Sequence, residues 1–127
     1  MLNPAIDASY TKFFYRDRLF LLFFIGACAL HFLIWALLFV FFDTFRPPDT
    51  DYIALHAAVI VGTDYIARWE SIFLLPALGG FLIVCNTLLA GALIHTNKRL
   101  SRALSLTALC GNGVLVYALY LLYRINL

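Results

Sequence analysis

Residues 69–95 read WESIFLLPALGGFLIVCNTLLAGALIH. From Ile72 onward the stretch is apolar for long enough to cross a bilayer, whose ~30 Å hydrocarbon core asks for about 20 residues at 1.5 Å each. It carries Pro76 near its start, the pair Gly79–Gly80, and one amide, Asn86. Two further runs flank it. Leu19–Phe42 holds no formal charge, and Ala103–Tyr123 follows a short basic stretch. The first is too long for a signal-peptide core and no A-x-A site follows it, so it reads as an uncleaved anchor.

Composition agrees. Of 127 residues, 64% are hydrophobic and only 13% charged, whereas soluble domains are nearer half apolar and a quarter charged. A water-soluble core of this size could not cover so much apolar surface, but lipid solvates the outside of each helix. The expected fold is an all-α membrane protein, a single integral domain over residues 1–127. Its spans lie at about 19–42, 72–95 and 103–123, with an outer loop at 43–71. The net charge of +2 is too small to suggest nucleic acid. Three cysteines, an odd number inside apolar runs, argue against a disulfide framework.

Basic residues set the orientation. The N-terminal lead and the turn at 96–102 hold most of the Lys and Arg, including Lys12, Arg16, Arg18, Lys98, Arg99 and Arg102, while the loop at 43–71 is acidic. The positive-inside rule then places the N-terminus in the cytoplasm and the C-terminus outside. The lead, opened by Pro4, reads as a surface helix or a frayed tail. Trp35, Phe39, Phe41 and Phe42 suit the far interface, as do Tyr117, Tyr120 and Tyr123. In the loop, Arg46-Pro47-Pro48 ends the first helix. The β-branched run around Tyr52–Val61 predicts an extended segment, with Gly62-Thr63-Asp64 as a turn and Tyr65-Ile66 closing a small hairpin. An interfacial helix over 51–60 is the alternative.

Few polar residues lie inside the spans. Counted from the cytoplasmic span ends, Asn86 and Asn112 each fall about nine residues deep, and His31 about twelve, which puts the three at ~13–18 Å. They form a candidate intramembrane polar cluster, with Asn86 and Asn112 expected to bond across the second and third spans. Interhelical hydrogen bonding is the ordinary use of Asn in a span; a proton or ligand site is the functional alternative. Ala103-Thr107-Gly111 and Thr87-Gly91 repeat at four-residue spacing, as small residues do where helices approach closely. Cys28, Cys85 and Cys110 read as packing residues. No metal, haem or other cofactor is implied: the His depths do not match for axial ligation, and His56 with the loop carboxylates fits no zinc spacing. No catalytic motif appears, so no catalytic residue is assigned.

The outer-segment residues His56, Gly62, Asp64 and Trp69 belong to the pattern Leu55-His56, Gly62-Thr63-Asp64, Ile66, Trp69 and Ile72-Phe-Leu-Leu-Pro76. It resembles that of short three-span bacterial membrane proteins of unknown function. It is more distantly similar to the extracytoplasmic segment of the SdpI-type immunity membrane family. The match covers about residues 52–90. Ala57, Ala58 and Ala67 replace the aromatic, Asn and Gly of that pattern. The resemblance implies a topology and a structured outer segment, and no reaction. The function expected is a structural, accessory or partner-binding role in a bacterial cytoplasmic membrane, through the outer segment. Partners would be the lipid bilayer, another membrane protein or a second copy. A membrane anchor or a proton, redox or transport subunit using His31, Asn86 and Asn112 is the alternative.

Overall fold

The computed structural model describes residues 17–45, 52–58, 62–93 and 96–126, with side chains described for 17–41, 68–93 and 96–126. The expectations for the lead before Asp17, for the prolines after Phe45 and for His95 lie outside these residues. In chain order the elements are helix α1 (Arg18–Phe45), strands β1 (Tyr52–Ala58) and β2 (Gly62–Arg68), a 3-10 turn (Trp69–Phe73), and helices α2 (Leu74–Leu93) and α3 (Lys98–Asn126). The three helices are long and apolar enough to cross a membrane, the mark of an integral membrane protein. Their outer faces match: Phe32 is 77% exposed, and Phe39, Val40, Leu74 and Leu88 are comparably bare, a surface that lipid solvates and water does not.

Each helix start has a local cause. Asp17 caps α1, its Oδ1 accepting the Phe20 N–H at 3.2 Å and its carbonyl the Leu21 N–H at 3.0 Å. Asn97 caps α3 in the same way, through the Leu100 N–H at 3.1 Å. Such caps satisfy backbone donors that would otherwise lack partners. Pro76 has no N–H to offer the Ile72 carbonyl. The chain enters α2 through the tighter 3-10 turn, and the Leu74 N–H reaches back to the carbonyls of Ser71 and Ile72. The third helix begins at Lys98, five residues before the expected span and inside the stretch expected to turn. The link to α2 is correspondingly short, with the Leu93 carbonyl accepting the N–H groups of Thr96 and Asn97 at 3.1 and 2.8 Å.

β1 and β2 pair antiparallel, Tyr52 opposite Arg68 and Ala58 opposite Gly62. Gly62-Thr63-Asp64 therefore lies in the ladder and not in the turn expected of it; residues 59–61, between the strands, are outside the described set. The register shifts on both sides of His56, which pairs with Tyr65, and leaves Leu55 and Asp64 without a cross-strand partner. A bulge of this kind re-aims side chains and raises local twist. β1 lies beside α3.

Helix α3 packs along both α1 and α2, which share a less extensive contact with each other. Its buried residues are Ser101, Ser105, Ala108, Asn112, Leu115, Leu119 and Leu122, spaced by alternating steps of four and three. That is the 3.5-residue repeat of knobs-into-holes packing. Ile72 in the 3-10 turn and Pro76, Gly79, Asn86 and Ala90 on α2 continue the pattern, as do Phe20, Ala27, Ile34 and Leu38 on α1. The seam is graded. Towards the hairpin it is filled by Ile34, Leu38, Ile72, Leu115, Leu119 and Leu122, closed by Phe41 stacked on Tyr123 at 4.2 Å. Towards the 93–98 link the α3 side of the seam shrinks to Ser101, Ser105 and Ala108, packed beside buried Phe20 of α1, and Ser105 Oγ donates to the Phe20 carbonyl at 3.3 Å. The stripe Ala103-Thr107 expected to mediate this approach instead points outward, and Thr107 bonds its own helix at the Ala103 carbonyl. Only Gly111 of that stripe touches α2, at Leu82.

Candidate intramembrane site

Three seam residues meet at one level. Measured from the helix ends at the 93–98 link, Gly79 lies fourteen residues before Leu93 and Asn112 fourteen after Lys98. His31 lies thirteen after Arg18. At 1.5 Å per residue each is about 20 Å along its helix. The side chains close over the bare Cα of Gly79. A Cβ there would stand 2.6 Å from Asn112 Oδ1, 3.0 Å from His31 Nδ1 and 3.2 Å from a Leu115 methyl. Gly80 gives the His31 ring a second side-chain-free wall, with Cε1 and Nε2 at 3.5 and 3.6 Å from the position of its would-be Cβ.

The hydrogen bonds fix the polarity of the site. Trp35 Nε1–H donates to His31 Nε2 at 3.3 Å, so in the neutral ring the proton sits on Nδ1. Asn112 Nδ2 donates to the Ala108 carbonyl at 2.9 Å and makes a longer contact of 3.4 Å to the Gly79 carbonyl of α2. Turning the amide over would set oxygen against those oxygens, so Oδ1 faces Gly79. Asn112 is fully buried, and neither its Oδ1 nor His31 Nδ1 has a hydrogen-bond partner among the described residues. An unsatisfied donor and an unsatisfied acceptor thus lie within about 6 Å of one another, both close to one point, each at a cost of roughly 1–3 kcal/mol if left bare.

Asn86 does not join them. Seven residues further along α2, about 10 Å by helical rise, its Nδ2 bonds the Leu82 carbonyl of its own helix at 2.9 Å. The expected Asn86–Asn112 bond is replaced by Asn112 against Gly79. A third span starting at Ala103 would set Asn112 level with Asn86; α3 starts at Lys98 instead, which puts Asn112 deeper and past Asn86. Leucine substitutions at the two positions should therefore add within about 0.5 kcal/mol. Unfolding measurements in detergent test this; a shortfall beyond that margin would show that the two amides communicate.

Trp35, expected at the interface, is an inward partner of His31, flanked by Phe39 and Phe73 with ring centroids at 6.0 and 6.3 Å. Trp69 packs edge-on to Phe73 at 5.9 Å, beside the hairpin-end core. His56 and Asp64 are placed only by backbone, in β1 and β2, and their side chains are outside the described residues. Near the other end, a clamp absent from the sequence reading ties α1 to α3. The Arg102 guanidinium donates to both Asp17 oxygens at 3.1 and 2.9 Å. Burial alone would raise the Asp17 carboxyl; the Arg102 bond and charge and the Phe20 N–H outweigh it and hold the group below its ordinary range. Cys28 and Cys85 are half-buried and Cys110 is exposed, all three as free thiols. Among the described residues no three His, Cys, Asp or Glu side chains converge as a metal site. Comparison with known proteins finds no matching family model, curated protein or solved structure.

Proposed function

We propose that this chain is a small accessory protein of a bacterial cytoplasmic membrane, with its N-terminus inside and its C-terminus outside. Its β1–β2 hairpin would lie on the extracytoplasmic side as a contact surface for another membrane protein or a second copy. The observation that carries this reading is the hairpin itself, a two-stranded ladder inserted between two membrane-length helices. A pair of strands is marginal alone in water, and its unpaired edges can accept a further strand. Exposed Arg18, Lys98 and Arg99 gather at the opposite end, as the positive-inside rule asks of a cytoplasmic side. The similarity of the Leu55-His56…Trp69…Pro76 segment to short three-span bacterial proteins fits the same arrangement. Photo-crosslinkers placed at Thr63 and neighbouring hairpin positions in cells should give discrete adducts, and terminal reporter fusions should place the N-terminus inside. Purely intramolecular products at every position, or an external N-terminus, would overturn the reading.

A second reading has its own observation. The unpaired atoms of His31 and Asn112, buried in the bundle, suit a membrane subunit that handles a proton or a small ligand. A bound chromophore, a redox change or a pH-dependent flux on purified protein in vesicles would support it, and loss of the signal on His31→Phe would assign it.

A further inference from the structure

We propose that the recess where β2 runs into α2 binds the headgroup of phosphatidylethanolamine, with Arg68 and Ser71 holding the phosphate and Glu70 the ammonium. The site is separate from the helix seam and rests on neither functional reading above.

The recess is open and about 450 Å³ in volume, lined among the described residues by Arg68, Glu70, Ser71 and Leu74. Pockets that hold small ligands span ~300–1,000 Å³. It lies at the hairpin end of the membrane-length stretch Trp69–Leu93, the level at which headgroups border a span. Arg68 Nη2 donates to Glu70 Oε1 at 2.8 Å, and the two side chains are 68% and 43% exposed. An exposed pair contributes little by itself, and this bond uses one of the five guanidinium N–H groups. The others can fork onto phosphate oxygens, and the Ser71 hydroxyl is a further donor. Glu70 Oε2 is buried, so an ammonium meets the carboxylate from the Oε1 side.

Charge selects the headgroup. Arg68 and Glu70 sum to zero, which one negative and one positive group complement. Phosphatidylglycerol brings no cation and sets its phosphate against Glu70. The trimethylammonium of phosphatidylcholine has no N–H for the carboxylate, whereas ethanolamine carries three. Leu74 opens an outward row with Leu78 and Phe81, all exposed and spaced by four and three so that they share one helix face. This row gives acyl chains an apolar track leading from the recess, which favours a lipid over a soluble zwitterion of the same charges.

Native mass spectrometry of the full chain, released from neutral detergent with equimolar phosphatidylethanolamine, phosphatidylglycerol and phosphatidylcholine of matched acyl chains, tests this. The first lipid adduct should be phosphatidylethanolamine, favoured about fivefold or more over phosphatidylcholine by its charge-assisted hydrogen bonds. Glu70→Gln leaves Arg68 uncompensated and should turn the preference towards phosphatidylglycerol. Arg68→Gln should bring the three lipids to parity. Both substitutions sit on exposed side chains and leave the helix seam untouched, and Arg99→Gln, at the opposite end, should change nothing. Equal adducts of all three lipids on the unaltered chain, a preference that survives both Arg68→Gln and Glu70→Gln, or one lost in Arg99→Gln would overturn the proposal. Displacement of the lipid by glycerophosphoethanolamine at comparable concentration would also overturn it, by showing that the acyl track plays no part.

Discussion

Gly79→Ala should destabilise the bundle by about 2–3 kcal/mol, the upper part of the range for inserting one carbon into a packed core. The new Cβ would sit 2.6 Å from Asn112 Oδ1, closer than real Cβ contacts come. Asn112 has little room to retreat, since it is fully buried and its amide is held by the Ala108 carbonyl. The change also breaks the contact between Asn112 and the Gly79 carbonyl. Asn112→Ala in the same chain removes the obstructing oxygen, so the pair of changes should cost at least 1 kcal/mol less than the sum of the singles, within the range seen for contacting residues. Gly111→Ala provides the contrast. Its Cβ would meet only the end of the Leu82 side chain, at 2.9 Å. A terminal methyl can swing aside, and the expected cost is below about 1 kcal/mol. Equilibrium unfolding in detergent measures all four variants. Equal costs at the two glycines, or strict additivity with Asn112→Ala, would mean that the Gly79 contact does not hold the helices in place.

The second large effect should come from Asp17→Ala, at about 2 kcal/mol. It removes two things at once. One is the N-cap of α1, worth about 1 kcal/mol in typical cases. The other is the bond to Arg102, whose side chain is 40% exposed; solvent screening limits that part to about 1 kcal/mol. Asp17→Asn keeps a capping oxygen and loses the charge, so it should cost about half as much. The sign of the pH dependence follows from the depressed carboxyl. A folded-state value below the unfolded one stabilises the protein above the ordinary carboxylate range, and that gain fades as pH falls through the lowered value. The stability gap between wild type and Asp17→Asn should be constant above about pH 5 and close below about pH 4. A gap that stays open in acid would mean that Arg102 does not recognise the charge on Asp17.

Membrane class and the three helices were legible because length and composition alone report them. His31 and Asn112 were legible too, since a polar side chain in an apolar run stands out. Gly79 was not, and its physical reason is general. In water the buried stripe of a helix is marked by hydrophobicity against a polar background. In lipid both faces are apolar, so the mark is lost, and Leu78 on the outside reads the same as Leu115 on the inside. On the half of α3 towards the 93–98 link the pattern is inverted, and the seam there is recognisable by its smaller and more polar residues, Ser101, Ser105, Ala108 and Asn112. The four-and-three spacing of that set is present in the sequence, but the four-and-four spacing of Ala103, Thr107 and Gly111 is equally regular, although its first two members lie on the outer face. In the sequence nothing separates Asp17 from the other charges of the lead. Its capping role depends on where α1 starts, which hydropathy blurs by a residue or two.

The graded seam has a mechanical meaning. Sliding α3 along its neighbours by one repeat, seven residues or about 10 Å, would keep the spacing in phase but bring Ser105 or Leu119 opposite Gly79. Serine would leave a void there, and leucine would drive into the α2 backbone. The seam therefore works as a vernier with a single matching mark. Piston-like strokes by a whole repeat are closed to this bundle, so the hairpin end and the opposite end keep one axial register.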